Sequence, residues 1–472
     1  MKKLISALLS ICLISIAGCN SNDGIDNPFG INDDTLKVNK FIVDVFDDIY
    51  LWVDDIDMET CKKTYNRYKD PYEFFEKLRY IDDEWSGLTD DIEGMNDSFE
   101  GVETSFGYSL FFGYAYKNSD IVIGIVKFVY PDSPAEKAGL KRGDILVSMN
   151  GNDITDKNYP ELVYSSSISV SRGYYDGSQY NSYGESISMT AIKQYNNPII
   201  KDTIIVKGVN KIGYLCYSDF LEKSETELIR IFNNFKKQAV TDVVLDLRYN
   251  PGGLVRTSIV LSSILAPGSA VINKDIYQIQ VWNDNYTQYY TSKGNDMKEY
   301  FTDTLPVNMN LSRLFVLTSE NSASASEATI ISLKPYMNVI QIGSKTSGKF
   351  CGGGLISPDM IYKDSKYYNN IKNWGMYIMY FRYTNKSQTY YKEGLEPDIE
   401  AKENFLDLKP FGDERDPLLG RAIAHITGQQ YVESRSEQSM SDFKISNDLY
   451  VKKQIDGKLI DNRKLQKLLK ED

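Results

Sequence analysis

The spacing of apolar residues changes along the chain and divides it into three parts. Over residues 34–101 apolar side chains recur at intervals of three and four, as at Phe41 and Val45, which is the period of an amphipathic helix. Residues 105–209 carry short β-type runs bounded by turn residues. From residue 211 onward, strand-like and helix-like runs alternate, which is typical of an α/β core with parallel strands. The pattern therefore predicts a helical N-terminal domain, a strand-rich module and an α/β core.

Turn signals separate the predicted strands of the middle module. The predicted strands are 108–116, 121–129, 145–149, 186–192 and 203–206. Between the second and the third, Ser133 can cap a short helix, and Glu136 completes a capping box. Asn150 and Gly151 form a two-residue hairpin signal. The polar, tyrosine-rich stretch 165–185 is predicted to be a long loop.

Three predicted strands of the core end in loops rich in serine, glycine and lysine. The predicted elements are strands 242–247, 314–318 and 339–342 and helices 254–265 and 325–333. The strands lead into the loops Asp246 to Gly253, Asn321 to Glu327 and Gly343 to Lys349. Because the carboxyl ends of parallel strands meet at one edge of a sheet, we expect these loops to lie together. A serine at a helix start, a glycine pair that exposes N–H groups and a lysine in a glycine-bounded turn are the parts of a Ser-Lys acyl-transfer site.

The composition restricts the chemistry of such a site. The chain carries 65 acidic against 53 basic residues, a formal net charge of −12, which argues against nucleic acid as a partner. His425 is its one histidine, so the imidazole of a Ser-His or Cys-His pair is missing near the loops, and a lysine is the remaining candidate base. The cysteines are spaced neither as zinc ligands nor as a disulfide framework. We predict no metal and no cofactor.

The first residues carry an export signal. Two lysines precede an apolar run, residues 4–16, which is too short to span a bilayer and leads into small residues. Ile16 to Cys19 resembles the lipobox of bacterial lipoproteins, in which the cysteine is lipidated and becomes the first residue of the mature chain. We predict a signal peptide over 1–18, lipidation of Cys19 and a lipid-anchored protein of the cell envelope, facing the periplasm or the surface. A plain signal peptide with a chance cysteine is the alternative.

The middle module resembles a PDZ domain. The stretch Ser133 to Ile154, SPAEKAGLKRGDILVSMNGNDI, is similar to the corresponding stretch of such domains. The resemblance implies that Gly107, Tyr108, Ser109 and Leu110 occupy the loop that receives the terminal carboxylate of a peptide. PDZ domains bind peptides by adding a strand to an exposed sheet edge. A purely structural spacer is the alternative.

The loops of the core resemble those of the carboxyl-terminal processing, or tail-specific, serine peptidases. Asp246 to Gly253 is similar to the family's DLRxNPGG segment, Ser322 to Glu327 to its SASASE segment and Thr346 to Lys349 to its TxGK segment. The resemblance places the family nucleophile on Ser324 and the family base on Lys349. It implies a crotonase/ClpP-like peptidase core accompanied by a PDZ domain, and thus an α/β, multi-domain α+β fold.

The resemblance also implies the remaining parts of the site. Backbone N–H groups of Gly252 or Gly253 and of Ala325 are expected to stabilise the oxyanion. The base must be neutral, so we expect the pKa of Lys349 to lie well below the roughly 10.4 of a free lysine. Many members carry a glutamine four residues after the lysine, and this chain has Gly353 there.

Other interpretations of the same residues fit less well. Gly343 to Lys349 is one residue short of a Walker A loop, because the hydroxyl residue that should follow is missing. Cys351 could be a nucleophile, but without a nearby imidazole a packing role is favoured. The alternative from another class is a non-catalytic, lipid-anchored peptide-binding protein with a degenerate peptidase core.

We therefore predict a serine endopeptidase of the carboxyl-terminal processing type that cleaves exported proteins or peptides with a Ser-Lys dyad. Its predicted partners are protein or peptide substrates and, through the lipid, a membrane. The predicted segments are a signal peptide (1–18), a lipidated tether (19–33), a helical N-terminal domain (34–104), a PDZ-like domain (105–209), a serine peptidase core (210–430) and a charged tail (431–472).

Overall fold

The computed structural model of the chain describes residues 29–389, 391–433 and 459–460. These residues form a helical N-terminal region, a strand-rich module and an α/β core, so the predicted mixed fold is confirmed. The predicted signal peptide, Cys19 and most of the predicted tail lie outside the described residues. Within the described ranges, no helix has both the length and the apolarity needed to cross a membrane.

The three strands and two helices predicted around the loops of the core end within one residue of the prediction. The strand predicted at 203–206 is part of a longer strand, Ile199–Lys207, which pairs in the core sheet and not in the middle module. The helices are α1 (Asp33–Ile49), α2 (Met58–Thr64), α3 (Pro71–Leu78), α4 (Ile92–Phe99), α5 (Pro134–Lys137), α6 (Glu161–Tyr164), α7 (Glu225–Lys237), α8 (Val255–Leu265), α9 (Gly268–Ile272), α10 (Asp284–Ser292), α11 (Ala325–Leu333), α12 (Pro358–Ile361), α13 (Ser365–Tyr368) and α14 (Pro417–Thr427). The strands are β1 (Gly87–Thr89), β2 (Val102–Ser105), β3 (Tyr108–Tyr114), β4 (Val122–Val129), β5 (Ile145–Met149), β6 (Asn152–Asp153), β7 (Ser167–Tyr175), β8 (Tyr180–Thr190), β9 (Ile192–Tyr195), β10 (Ile199–Lys207), β11 (Asn210–Tyr217), β12 (Asp242–Asp246), β13 (Gly253–Leu254), β14 (Ile276–Trp282), β15 (Lys298–Tyr300), β16 (Arg313–Thr318), β17 (Asn338–Gly343), β18 (Cys351–Ile356), β19 (Gly375–Thr384), β20 (Ile399–Glu400) and β21 (Leu459–Ile460).

The N-terminal helices share one hydrophobic core with the α/β part. Phe41 and Phe46 of α1 and Phe74 of α3 are buried in the same cluster as the central strands. Strand β1 pairs antiparallel with β19, and Leu51 donates its N–H to the carbonyl oxygen of Met379, 3.0 Å away. Burying each large aromatic side chain stabilises the fold by roughly 1.5–3 kcal/mol. The N-terminal region is therefore fixed to the core, and its loops can contribute side chains to a site there.

The strand-rich module forms an antiparallel sheet around its own core. Its strand order is β3-β4-β5-β7-β8, with β6 beside β5. Ser133 caps α5 as predicted, accepting a hydrogen bond from the N–H of Glu136 at 3.1 Å. Strand β3 lies at the edge of this sheet, with β4 as its partner among the described residues.

The prediction of a long loop over residues 165–185 is wrong. The stretch forms most of the β7–β8 hairpin, in which Ile168 and Val170 point into the module's core. At its tip the Asp176 carboxylate accepts the N–H of Gln179 at 2.9 Å, which lowers the pKa of this carboxyl group. The many serine and glycine residues of the stretch hid the two-residue period, because such residues are also typical of loops.

Two sheets enclose the central helices of the core. The first has the order β10-β11-β12-β16-β17-β20 and is parallel from β11 to β20. The second has the order β13-β21-β18-β19-β14-β15. Helix α11 is buried along its whole length and contacts β17 of the first sheet and β14 and β19 of the second, so it lies between them. The loops after β12, β16 and β17 therefore meet near the start of α11.

Candidate active site

The three predicted loops lie together at the carboxyl ends of neighbouring strands, as expected. The carbonyl oxygen of Asn250, in the first loop, accepts the N–H of Ala323 at 3.2 Å and the hydroxyl of Ser326 at 2.9 Å. In the third loop, Ser347 donates its N–H to the carbonyl oxygen of Ser322, 3.0 Å away. Hydrogen bonds therefore fix the second loop to both of its neighbours.

Ser324 lies on a strained turn immediately before α11. Its φ of 62° and ψ of −112° put a residue that has a β-carbon into a region that favours glycine. The side chain is buried, and its Oγ has no hydrogen-bond partner among the described residues. Such strain costs on the order of 1–3 kcal/mol and persists only where surrounding contacts fix the backbone. The turn thus presents an unpartnered hydroxyl at the start of a buried helix.

The carboxylate of Glu327 fixes this turn. It accepts four hydrogen bonds, at Oε2 from the N–H groups of Ser324 (2.7 Å) and Lys349 (3.0 Å) and at Oε1 from the N–H of Gly348 (2.7 Å) and the hydroxyl of Thr346 (2.6 Å). Burial raises the pKa of Glu327 to about 7, against the lowering effect of these hydrogen bonds. One buried acidic group therefore joins the backbone of the serine turn to the backbone of the lysine turn.

A tyrosine of β19 connects the same two turns through their carbonyl groups. The Tyr383 hydroxyl lies 3.0 Å from the carbonyl oxygen of Ser324 and 2.8 Å from that of Lys349. Burial holds the pKa of this hydroxyl well above its usual value, so it remains a neutral donor. The backbones of Ser324 and Lys349 are thus held close together on both sides.

The side chain of Lys349 is fully buried beside two aromatic rings. Its Nζ lies 5.4 Å from the ring centroid of Trp85 and 5.3 Å from that of Tyr377. Trp85 precedes β1 in the N-terminal region, and its ring meets Phe350 edge-on with 6.1 Å between centroids. Sequence motifs did not assign either ring to the site, because each comes from an element that is distant from the lysine along the chain.

The two glycines of the first loop have different surroundings. Gly252 donates its N–H to the side-chain Oδ1 of Asn250 at 2.9 Å, so this group is occupied within the loop. Gly253 begins β13 with a φ of +137°, and a β-carbon there would lie 2.4 Å from the carbonyl oxygen of Phe220. Ala325 is the first residue of α11, where an N–H has no acceptor within the helix. Of the predicted oxyanion donors, the geometry favours Gly253 and Ala325 over Gly252.

Gly353 has no room for the glutamine that many members carry. A β-carbon at this position would lie 2.1 Å from the carbonyl oxygen of Ile378 and 2.7 Å from the Cε atom of Met379. The pairing of β18 with β19 shifts register at this point. No side chain can therefore orient Lys349 from residue 353, and the rings of Trp85 and Tyr377 lie beside its amine.

Cys351 and His425 lie in surroundings that do not suit catalysis. Cys351 is buried, and burial raises the pKa of its thiol, which disfavours the nucleophilic thiolate. His425 lies in the last turn of α14, with its ring 5.5 Å from that of Phe315. In the part of the chain that the structure describes, no group of three or more His, Cys, Asp or Glu side chains could hold a metal ion.

The residues predicted to receive a peptide carboxylate lie at the start of the edge strand β3. Gly107 has a φ of +79°, and a β-carbon there would lie 2.2 Å from the Cβ of Ser133. Tyr108 to Leu110 are the first residues of β3, so their backbone follows the sheet edge. The Tyr108 hydroxyl donates to the carbonyl oxygen of Leu162 at 2.5 Å. The predicted loop therefore lies beside α6, at one end of an exposed-edge strand.

A buried arginine of the strand-rich module reaches the first loop of the core. Arg142 forms an ion pair with Glu403 and donates to the carbonyl oxygen of Lys409 at 2.8 Å. It also lies 3.2 Å from the hydroxyl of Tyr249, which itself donates to Glu403. Tyr249 directly precedes Asn250, so the module contacts the loop that supports the serine turn.

Comparison with known proteins agrees with this arrangement. Three family models match the chain: Peptidase S41 N-terminal domain over residues 37–87, PDZ domain over 125–164 and Peptidase family S41 over 211–401. A carboxyl-terminal-processing protease of Picosynechococcus sp. is 25% identical over 329 residues, which cover 68% of this chain and 71% of that protein. The carboxy-terminal processing protease CtpA of Bacillus subtilis is 26% identical over 277 residues, which cover 57% of this chain and 51% of that protein. The chain thus aligns with about half the length of the Bacillus protein.

A solved structure shows the same fold. A protein of Bacteroides fragilis described as an S41 protease superposes with a TM-score of 0.66 at 25% identity, covering 82% of this chain and 97% of that one. The fold and the three matched domains define a serine peptidase with a helical N-terminal region and a PDZ domain. The chain belongs to peptidase family S41, among its carboxyl-terminal processing peptidases.

Proposed function

We propose that this protein is an endopeptidase that cleaves exported proteins or peptides, with Ser324 as nucleophile and Lys349 as general base. The main support for the proposal is that the same two side chains contact the backbones of both residues. Glu327 accepts both of their N–H groups, and the Tyr383 hydroxyl lies against both of their carbonyl oxygens. A strained turn that presents an unpartnered hydroxyl, and whose backbone is held to that of a buried lysine, supports nucleophilic catalysis.

The proposed reaction is acyl transfer to serine followed by hydrolysis. The Ser324 Oγ attacks the carbonyl carbon of the peptide bond while the Lys349 amine accepts the hydroxyl proton. N–H groups of Gly253 and Ala325 stabilise the oxyanion. The lysine then gives the proton to the leaving amine, and an acyl-serine remains. A water molecule that loses its proton to the same amine hydrolyses this ester and restores the serine.

Digestion of an unfolded protein by the purified enzyme tests the dyad. Ser324→Ala and Lys349→Ala should each abolish cleavage without unfolding the chain, because nucleophile and base act as a unit. Ser347→Ala and Lys345→Ala are matched controls, since both side chains are exposed in the neighbouring loop. Retention of more than a few per cent of activity by either dyad variant contradicts the proposal. An unmodified protein that binds peptides without cleaving them would favour the non-catalytic alternative.

We further propose that the PDZ domain selects a chain end. The Gly107 to Leu110 segment would receive a free carboxylate, and the edge of β3 would add the peptide as a strand. The position of this segment at the end of an edge strand supports the proposal. Substrates would then be chosen by their carboxyl termini and cut in the core.

We propose that the enzyme works in the cell envelope, anchored through Cys19. The resemblance of Ile16 to Cys19 to a lipobox supports this location. The Cys19→Ala protein should leave the membrane fraction and remain soluble, while its peptidase activity is unchanged. A variant that stays in the membrane fraction would show that the anchor lies elsewhere.

A further inference from the structure

The second sheet of the core contains a strand that comes from the end of the chain. β21 pairs in parallel with β13, with Gly253 opposite Leu459 and Leu254 opposite Ile460. On its other side, Gly353 of β18 lies opposite Ile460. The sheet order is therefore β13-β21-β18, and β21 occupies a gap one strand wide between two strands of the core.

This gap adjoins the candidate catalytic groups on both sides. β13 begins with Gly253, the favoured oxyanion donor, and β18 begins at Cys351, two residues after Lys349. A peptide placed between these strands would run beside the oxyanion donor and the base. Ser324 and Lys349 are both fully buried in the structure that contains β21. The gap therefore has the position and the backbone partners that an extended substrate needs.

We propose that Leu459–Ile460 is an intramolecular ligand that competes with substrate for the gap between β13 and β18. The inference rests on the proposed function, because it takes this gap to be the substrate's place. About 25 residues connect Glu433 to Leu459, and such a length can extend up to roughly 80 Å, so the same molecule can supply the strand. A segment tethered within the same molecule acts at a raised effective concentration, so a free peptide binds more weakly while the segment is seated.

Binding of a labelled tail peptide tests the competition without requiring catalysis. The probe is a fluorescein-labelled peptide of residues 454–463. Its carboxyl terminus is amidated, so that the PDZ domain cannot bind it through a free carboxylate. The host is the full-length Ser324→Ala protein, with or without the additional pair Leu459→Pro and Ile460→Pro. Proline cannot donate to a strand ladder, so the proline pair should unseat the tail and tighten probe binding at least fivefold. Val451→Pro with Lys452→Pro is the matched control, and it should bind the probe as the Ser324→Ala parent does.

Amide hydrogen exchange gives a second measurement on the same proteins. Peptic fragments that contain Gly253 or Gly353 should exchange faster when the proline pair is present, because the added strand no longer covers their backbone. In the protein that retains Ser324, the proline pair should also raise the rate of peptide cleavage at least fivefold.

These measurements separate the inference from the proposed function. Tighter probe binding and faster exchange in a protein that never cleaves would support the seated tail and refute the peptidase proposal. Equal probe binding and equal exchange with and without the proline pair would overturn the inference, whatever the cleavage rate.

Discussion

The PDZ module and the peptidase core each present a strand edge beside a candidate peptide site, and the two edges differ in occupancy. In the module, the outer edge of β3 carries no further strand among the described residues. In the core, β21 lies between β13 and β18. An unpaired edge can accept a peptide directly, whereas a filled gap requires one strand to replace another. If both sites bind peptides as proposed, the module can take up a peptide without displacing a strand, and the core cannot.

The two sites also differ in how their backbones are held. The loop of the module needs only the conformational freedom of Gly107, at a φ of +79°. The core holds Ser324 at a φ of 62° by contacts from Glu327 and Tyr383. Recognition of a chain end uses backbone groups that any sequence supplies, whereas acyl transfer needs particular side chains fixed in place.

The largest effect is expected from Glu327→Gln, which alters the core and leaves the module unchanged. In the wild type, two backbone N–H groups donate to one carboxylate oxygen of Glu327. In the variant, the amide nitrogen of the glutamine would take the place of an oxygen and could not accept hydrogen bonds from N–H groups. Above pH 7, where this group is ionised, losing two hydrogen bonds to it, at roughly 1.5–3 kcal/mol each, should lower kcat/KM at least about 100-fold. Cleavage of a peptide measures the effect, with the exposed Glu320→Gln as the matched control. Equal rates in the two variants would show that the carboxylate does not support the turn.

The same carboxyl group makes the stability of the core depend on pH. Its pKa is raised from 4.5 to about 7 in the folded chain, so between these values the folded state keeps a proton that the unfolded state loses. The stabilisation is fully present below pH 4.5 and lost as the pH rises through 7, a change of about 3 kcal/mol. Urea unfolding at pH 5 and pH 8 should show this loss in the wild type and not in Glu327→Gln. Parallel pH dependence in both proteins would contradict the raised pKa.

Arg142→Ala should weaken the contact between the module and the core. Removing one partner of a buried ion pair costs about 3–5 kcal/mol, and the low end is expected because Glu403 keeps Arg248 as a partner. Urea unfolding measures the loss of stability. The rate of peptide cleavage measures how far the loop that contains Tyr249 depends on Arg142. Arg172→Ala is the control, since its longer, part-exposed pair with Asp144 should contribute about 1 kcal/mol or less. Equal losses in both variants would argue against a specific link.

The smallest effect concerns the open edge of the module. A peptide with an apolar carboxyl-terminal residue should bind full-length Ser324→Ala protein about 10- to 150-fold more tightly than its carboxamide, because hydrogen bonds to a charged group contribute roughly 1.5–3 kcal/mol. Gly107→Ala should remove this preference, since its β-carbon would collide with Ser133. Gly151→Ala is matched in backbone conformation but has open space, and it should keep the preference. Equal binding of acid and amide would mean that the module does not recognise chain ends.

Sequence patterns predicted the loops of the core because each loop follows an apolar strand. The strands 242–247, 314–318 and 339–342 stand out from their surroundings, and parallel topology then requires their ends to meet. The spacing from Ser324 to Glu327 was also readable as a capping box, and it could have identified the acidic group that supports the turn. Local sequence signals were therefore sufficient to predict which loops form the site.

Other parts of the site depend on contacts between distant segments. Trp85 and Tyr377 meet Lys349 only because β1 pairs with β19, and a lone aromatic residue carries no motif. Gly252 and Gly253 look equivalent in sequence, but the N–H of Gly252 is occupied by the side chain of Asn250, whereas Gly253 lies in strand β13. The pairing of β21 was hidden because two apolar residues in a polar segment predict no strand.

Activation of Ser324 by Lys349 is the central feature of the proposed mechanism, and labelling by an alkyl fluorophosphonate is its most direct test. The full-length protein is treated with the probe, and the modified residue is located by mass spectrometry. We expect one adduct, on Ser324, whose rate of formation falls at least about 100-fold in Lys349→Ala and is unchanged in Lys345→Ala. Labelling at another residue, or labelling of Ser324 at the same rate without Lys349, would contradict it.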